Sequence, residues 1–513
     1  MQGLIGSLTS ECPTFWLGMR RGIEKENLRI NLKGNIATTP HPKSLGSALK
    51  NHYITTDFSE GLIEMVTEPL IQDQALKQLT YINRFVVENL TDELLWPLSM
   101  PPHIRNPDDI HIAQYGSSNA AKMKMLYRQG LAQRYGKAMQ IIAGVHYNVS
   151  FPEALFKWLY EYDQSQEGIM AYTSARYMQL VRNFFCHYPL IVYLFGAAPS
   201  CDISSLERHK PAYLQMLGKQ TAYGPYATSL RMSDLGYQNP AQDAVTIRYD
   251  SVKAYARSLW EATRIPYPEY TAYENQLNNS VIQIENEYYS PIRPKQPVRP
   301  GERPAIALCD RGVRYVEVRA VDLNPLQPMG ICQKQLEFMD LLLLWCLLVP
   351  NALTRVDGSA IRHNVQQVAS QGRKADLKIC WKGEQVLFVE WAKRVIEQLL
   401  PFAQWLEGCC GSTYTNLLEA QFEKIQRSEL TPSALILSEL QSQRLSHTEF
   451  GLAVAQKQAL WLDKQQKNNE FEKILQQETK QSLEAQAKLE KEQDQTFEQF
   501  LKNYFNQGTL CQQ

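Results

Sequence analysis

The chain carries no excess of charge of either sign: Lys plus Arg and Asp plus Glu number 53 each. Such a balance offers no electrostatic footing for nucleic acid or an anionic membrane, so small molecules are the expected partners. Long apolar runs are also missing. The longest, Leu341 to Val349, has nine residues between Asp340 and Pro350, far below the ~20 that cross a bilayer, and a buried helix is expected there. No succession of basic, apolar and small-residue segments of the secretory kind opens the chain, so a cytoplasmic protein is expected. The 10 cysteines form no C-x-x-C pair and no Cys/His cluster. Zinc and dithiol chemistry therefore lack support, and reduced core thiols are expected, Cys186 beside His187 included. P-loop, dinucleotide-fold, zincin and hydrolase-elbow motifs are absent, as are solenoid repeats. From Gln456 to Phe505 there is neither Pro nor Gly. That stretch predicts a long helix or helix pair, and its sparse apolar positions favour an amphipathic helix lying on the core over a coiled coil.

What is present is an ordinary globular composition, 44% hydrophobic and 21% charged, with several short runs of period two. In Tyr315 to Val321 the residues Val316, Val318 and Ala320 face one side of a predicted strand, and Tyr315, Glu317 and Arg319 the other. A buried Glu–Arg pair alone is equally well explained as structural neutralisation. The pattern recurs, however. Arg21 to Ile30 places Glu24 and Glu26 on one face, and Leu62 to Val66 carries Glu64, with Asp57 seven positions earlier. Val145 to Ser150 alternates valines and Tyr147 with His146, Asn148 and Ser150. Val281 to Glu287 reads as a fifth strand, with Gln283, Glu285 and Glu287 opposite Ile282 and Ile284. Together these predict one sheet with a shared acidic face. Converging carboxylates are tolerable when they hold cations, and oxygen ligands with one imidazole suit Mg²⁺ or Mn²⁺ better than zinc.

Around these strands, Pro69 to Leu98 predicts a helix through Leu76, Leu79, Ile82 and Phe85, and Phe151 to Tyr160 another, with Pro152 at its start. The proline-rich Pro291 to Pro300 predicts an extended loop, over the site. Beyond about residue 330 the pattern is almost wholly helical. Two further segments are chemically open. Tyr115 to Asn119, leading into Lys122, Lys124, Tyr127, Arg128 and Arg134, is either a solvated helical face or a turn and helix that hold phosphate oxygens. Tyr226 to Tyr237 either clamps a carboxylate through Arg231 or pairs Arg231 with Asp234.

Arg21 to Glu26, Thr56 to Glu60, Trp96 to Pro101, Gln114 to Asn119, Gly144 to Asn148, Ala227 to Tyr237, Gln283 to Glu287 and Glu317 to Arg319, in this order, resemble the glutamate-cysteine ligases of the proteobacterial type. The resemblance is dense from about residue 20 to 350. It implies an α+β fold whose curved, largely antiparallel sheet forms a funnel, as in the glutamine synthetase catalytic architecture, with helices outside and a helical C-terminal part. The chain is then one unit, a sheet-containing core over about 15–330 and a mainly helical part over about 331–513 packed on it. The implied activity is ATP-dependent ligation of the L-glutamate γ-carboxylate to the L-cysteine amine through γ-glutamyl phosphate, the first step of glutathione synthesis. A ligase with a different amine acceptor is the nearest alternative.

The resemblance implies a metal-binding set of Glu24, Glu26, Asp57, Glu64, His146 and Glu317, for Mg²⁺ or Mn²⁺. It implies a cysteine pocket of Phe58, Tyr127, Leu131, Gln140, Arg231, Tyr237 and Tyr289, with Tyr288 adjoining the last. Arg128 and Arg319 correspond to groups near the transferred phosphate or glutamate. A monomer is expected, with no nucleic-acid or membrane partner. Two other classes use some of the same residues. A metal-dependent hydrolase would activate water with the carboxylates and His146 without consuming ATP. An amino-acid-binding protein would keep Arg231 and Tyr237 but have little use for an acidic sheet face.

Overall fold

Side-chain alternation along a few short runs decides the architecture, and the computed structural model, which describes residues 6–7, 12–206, 210–236, 240–352, 358–411 and 413–507, places most of those runs in one sheet. In chain order the strands are β1 (Arg20–Asn31), β2 (Ile54–Thr56), β3 (Leu62–Val66), β4 (Leu70–Ile71), β5 (Glu93–Leu95) and β6 (Val145–Ser150). They continue with β7 (Ser200–Asp202), β8 (Gln215–Leu217), β9 (Thr221–Tyr223), β10 (Ile292–Lys295), β11 (Tyr315–Val321), β12 (Lys378–Trp381) and β13 (Glu384–Leu387). The main sheet is eight-stranded, open and built from antiparallel pairs, in the order β10-β11-β6-β1-β3-β2, with β4 and β5 also on β1. The fold is thus mixed α and β with a mostly antiparallel sheet.

The helices that matter for the site are α1 (Gln74–Glu88), α2 (Asn119–Tyr135), α3 (Ile169–Phe195), α4 (Gln333–Leu348), α5 (His447–Asp463), α6 (Asn469–Lys491) and α7 (Phe497–Asn506). Three of them cover the back of the sheet: α1 lies on β1 and β3, α3 lies on β11, and α4 lies beneath α3. Ile23, Met65, Val145, Tyr147, Val149, Val316 and Val318 point into that layer and are fully buried. From Phe338 to Leu348 α4 is buried on every side and, Asp340 apart, apolar all round, as a helix without a solvent face must be. The one acid inside that stretch, Asp340, accepts from Arg21 Nε at 2.7 Å and from Tyr147 Oη at 2.6 Å. One carboxylate thereby ties β1 to β6 from behind, and its charge is matched by one guanidinium. Lys25, also on this side, is held by Asn83 at 3.0 Å, and burial pushes its pKa down to about 7.

Four of the five expected strands join the sheet; Val281 to Glu287 does not. It bends and closes in a 3₁₀ turn over Glu285–Glu287, because each of its acids has a basic partner drawing it away from an extended ladder. Glu285 lies 2.8 Å from Arg303, and Glu287 lies 2.8 Å from Arg134 and 2.6 Å from Tyr135 Oη. Conversely, the expected loop at Pro291 to Pro300 contains β10. As an edge strand beside β11 it tolerates Pro294, whose missing N–H faces no neighbour. Among the described residues beyond 330, the β12–β13 hairpin is the only strand structure and the other regular elements are helices. The expected long helix is broken into α5, α6 and α7, with Asn468 and Thr496 accepting from backbone N–H groups at the starts of α6 and α7.

Candidate active site

Antiparallel register assembles the front of the sheet. Glu24 lies opposite His146, Glu26 opposite Glu64, and Glu317 opposite Asn148. Residues that share a face therefore meet across four strands. They floor a cavity of about 360 Å³, roofed by α2, by the Arg231 segment and by the Ile284–Tyr289 turn. The lining contains Glu24, Glu26, Asp57, Glu64, His146 and Glu317, together with Arg128 and Arg319, and Phe58, Tyr127, Leu131, Gln140, Arg231 and Tyr289. Tyr237 lies outside the described residues. Tyr289, not Tyr288, lines this cavity; Tyr288 instead hydrogen-bonds Tyr249 Oη at 3.2 Å.

His146 sits at the centre of the floor. Its Nδ1 is 3.1 Å from Glu24 Oε2 and 3.9 Å from Glu317 Oε1, and its Nε2 is 3.5 Å from Glu26 Oε1. Asn148 Nδ2 donates to the other Glu24 oxygen at 2.8 Å, and Gly144 N donates to Glu26 at 3.0 Å. Gly144 also lies flat against the Arg231 guanidinium, where any Cβ would collide with it. Arg231 donates to Arg319 O at 2.8 Å and lies 3.7 Å from Asp322. The alternative pairing of Arg231 with Asp234 is therefore replaced by one with Asp322, and Asp234 accepts from Tyr213 Oη instead.

The cavity is electrically two-sided. At one end Lys295 and Arg319 lie 3.3 and 3.1 Å from Glu317. Burial opposes ionisation of Glu317, but Lys295, Arg319 and His146 outweigh it and hold its pKa well below the ordinary carboxylate range. Glu24 is likewise lowered, with burial outweighed chiefly by its hydrogen bond to His146. At the other end burial, reinforced by Glu24, Asp57 and Glu26, drives Glu64 well above that range. Glu26 is raised by burial too. One ligand atom each from Glu24, Glu64 and His146 lies within 4.8 Å of the others. Oxygen donors with one imidazole, crowded to the point of self-repulsion, fit a hard divalent cation.

Nearby donors suit anions. Arg319 Nε and Arg293 Nε are buried without a hydrogen-bond partner among the described residues. Arg128 rests on the Tyr115 ring at 4.8 Å and donates to Asp57 O. Lys124, 4.7 Å above the same ring, has its pKa lowered to about 8 by burial and by Arg128. Arg293 and Lys295 were not anticipated as site residues. Their signal was the alternation Ile292-Arg293-Pro294-Lys295, hidden because the prolines read as a loop.

A family model described as glutamate-cysteine ligase matches residues 8–368. The chain belongs to the glutamate-cysteine ligase family. The glutamate-cysteine ligase of Alcanivorax borkumensis is 40% identical over 514 residues, covering 97% of this chain and 98% of the relative. That of Pseudomonas fluorescens is 42% identical over 499 residues, covering 94% and 92%. A crystal structure of the Francisella tularensis glutamate-cysteine ligase in complex with AMP superposes with a TM-score of 0.90 at 36% identity, over 96% of this chain and 99% of that one. A bifunctional glutathione synthetase from Pasteurella multocida shares the fold, at a TM-score of 0.68 and 22% identity. As a member of this family the chain is a glutamate-cysteine ligase, which performs the ATP-dependent first step of glutathione synthesis.

Proposed function

We propose that the cavity on the front of the sheet is where this ligase activates glutamate, and that its two electrical ends divide the work. The observation that carries this reading is a single cavity in which crowded carboxylates lie beside Arg293 and Arg319, whose Nε donors have no partner among the described residues. Glu24, Glu26, Asp57, Glu64, His146 and Glu317 hold Mg²⁺ or Mn²⁺, which when bound neutralises charge on the nucleotide phosphates. Arg128 and Arg319 stabilise charge as the γ-phosphoryl group passes from ATP to the γ-carboxylate of glutamate. Bond formation at the carboxylate oxygen and cleavage at the β,γ-bridging oxygen leave γ-glutamyl phosphate and ADP. The cysteine amine then attacks the acyl carbon and expels phosphate.

Phe58, Tyr127, Leu131, Gln140, Arg231, Tyr237 and Tyr289 receive cysteine, with Arg231 positioned for its carboxylate. Enclosure by α2 and the Ile284–Tyr289 turn keeps water from the acyl phosphate. The core and the helical part act as one unit, because Asp340 and Tyr414 of the latter bond Arg21, Tyr147 and Trp16 of the former. The unit acts as a monomer, in a cytoplasm that keeps its thiols reduced.

ADP release with glutamate and Mg²⁺, measured with and without cysteine, tests the reading. ADP should appear far faster with cysteine and stop on chelation. ATP consumption indifferent to both cysteine and chelator would sink it.

A further inference from the structure

The family model ends at residue 368, yet a later segment holds the turn that leads into α2, the helix whose Lys124, Tyr127 and Arg128 line the cavity. Helix α6 crosses the front rim on one polar stripe of Thr479, Ser482, Gln486 and Glu490, spaced to share a face. The loops beneath it carry glycines where it comes closest. Gly46 (φ 86°) would place a Cβ 2.6 Å from Ser482 Oγ, and Gly116 (φ 94°) would drive one into Glu490. Ser47 N donates to Ser482 Oγ at 3.1 Å, Ser117 N donates to Glu490 Oε1 at 3.0 Å, and Asn119 Nδ2 donates to Gln495 O at 2.9 Å.

The clamped turn, residues 115–119, is the start of α2. One residue before Gly116, the buried Tyr115 donates to Thr56 O at 3.0 Å and to Asp57 O at 2.9 Å, and its ring carries Lys124 and Arg128. A side chain far along the sequence thus holds the turn from which Asp57 and Arg128 are placed. The second half of α2 is held otherwise: Gln283 Nε2 donates to Tyr127 O at 3.2 Å, and Gly130 lies flat against the Gln283 amide. The two ends of α2 therefore answer to different anchors.

We infer that Glu490 is a positioning residue for phosphoryl transfer, acting through Ser117 and Tyr115 on Arg128 and Asp57, while cysteine recognition lies outside its reach. The inference rests on the proposed role of Arg128, so the experiment includes Arg128→Ala. Glu490→Ala should lower kcat about tenfold, the loss of one charge-assisted hydrogen bond, with KM for cysteine and melting temperature unchanged. Glu490→Gln keeps the acceptor oxygen and should restore turnover. Unchanged kcat in Glu490→Ala, or a lowered melting temperature with normal kcat per folded molecule, would overturn the inference while Arg128→Ala remains disabled. Normal turnover in Arg128→Ala would instead remove the site reading, and this inference with it.

Discussion

Two groups of buried or half-buried glutamates lie around the cavity, and their surroundings differ. Glu285 and Glu287, in the turn that roofs it, each face an arginine at 2.8 Å. Glu24, Glu26 and Glu64, on the floor, face one another and one imidazole. Among the described residues no lysine or arginine comes within ion-pair distance of Glu64, whose pKa burial and its acidic neighbours push upward. Both groups come from runs of alternating acidic and apolar residues, so pattern does not separate them. Pairing does. A buried carboxylate with its own cation is already neutralised, and removing either partner strands a charge, whereas clustered carboxylates without one suit a cation from solution.

Floor and turn should differ most in activity. Glu24→Gln keeps the shape but removes charge at the floor, and kcat/KM should fall by about a hundredfold or more, partly restored by excess Mg²⁺. Steady-state rates over a Mg²⁺ series check this. The opposite response is expected in the turn. Glu285→Ala strands Arg303, which is fully buried, and should cost about 3 to 5 kcal/mol of stability in denaturant unfolding, with turnover per folded molecule near normal.

Titration sharpens the contrast further. Because the folded pKa of Glu64 is raised above 4.5, its contribution to stability is fully present below that value and is lost as pH rises through the folded pKa. Glu317 has the opposite sign: its contribution is present above 4.5 and is lost as pH falls through its lowered pKa. In chelator, the melting temperature of Glu64→Gln should therefore decline less with rising pH than that of the parent, and Mn²⁺ should remove the difference. The smallest effects belong to the acceptor wall, where aromatic and aliphatic surface distinguishes methylene-sized changes by only ~1 to 3 kcal/mol. Product analysis should find 2-aminobutyrate still ligated and leucine rejected; equal turnover of leucine would remove Phe58 and Tyr289 from the pocket.

The floor was legible from sequence because period two is local: Glu24, Glu26, Glu64, His146 and Glu317 each declare a face within their own strand. Register then had only to align faces, which antiparallel pairing did at Glu24 opposite His146 and Glu26 opposite Glu64. The acceptor side, Leu131 and Gln140 above all, has no such local signature and was reached only by family resemblance. Glu285 and Glu287 misled because their partners Arg303 and Arg134 are distant in sequence. Arg293 and Lys295 were missed because prolines on an edge strand look like those of a loop. The rim stripe on α6 escaped notice because its contacts are polar, and apolar spacing says nothing about a polar face.

On the proposed reading, Glu24, Glu26 and Glu64 bind a divalent cation because no lysine or arginine among the described residues pairs with them. Binding of Mn²⁺ without nucleotide, followed by the electron-paramagnetic-resonance signal of the free ion, tests it directly in the parent and in Glu64→Gln and Glu24→Gln. The account predicts saturable binding in the parent and at least about tenfold weaker binding in both variants, at unchanged folded content. Equal Mn²⁺ binding by all three proteins would contradict it.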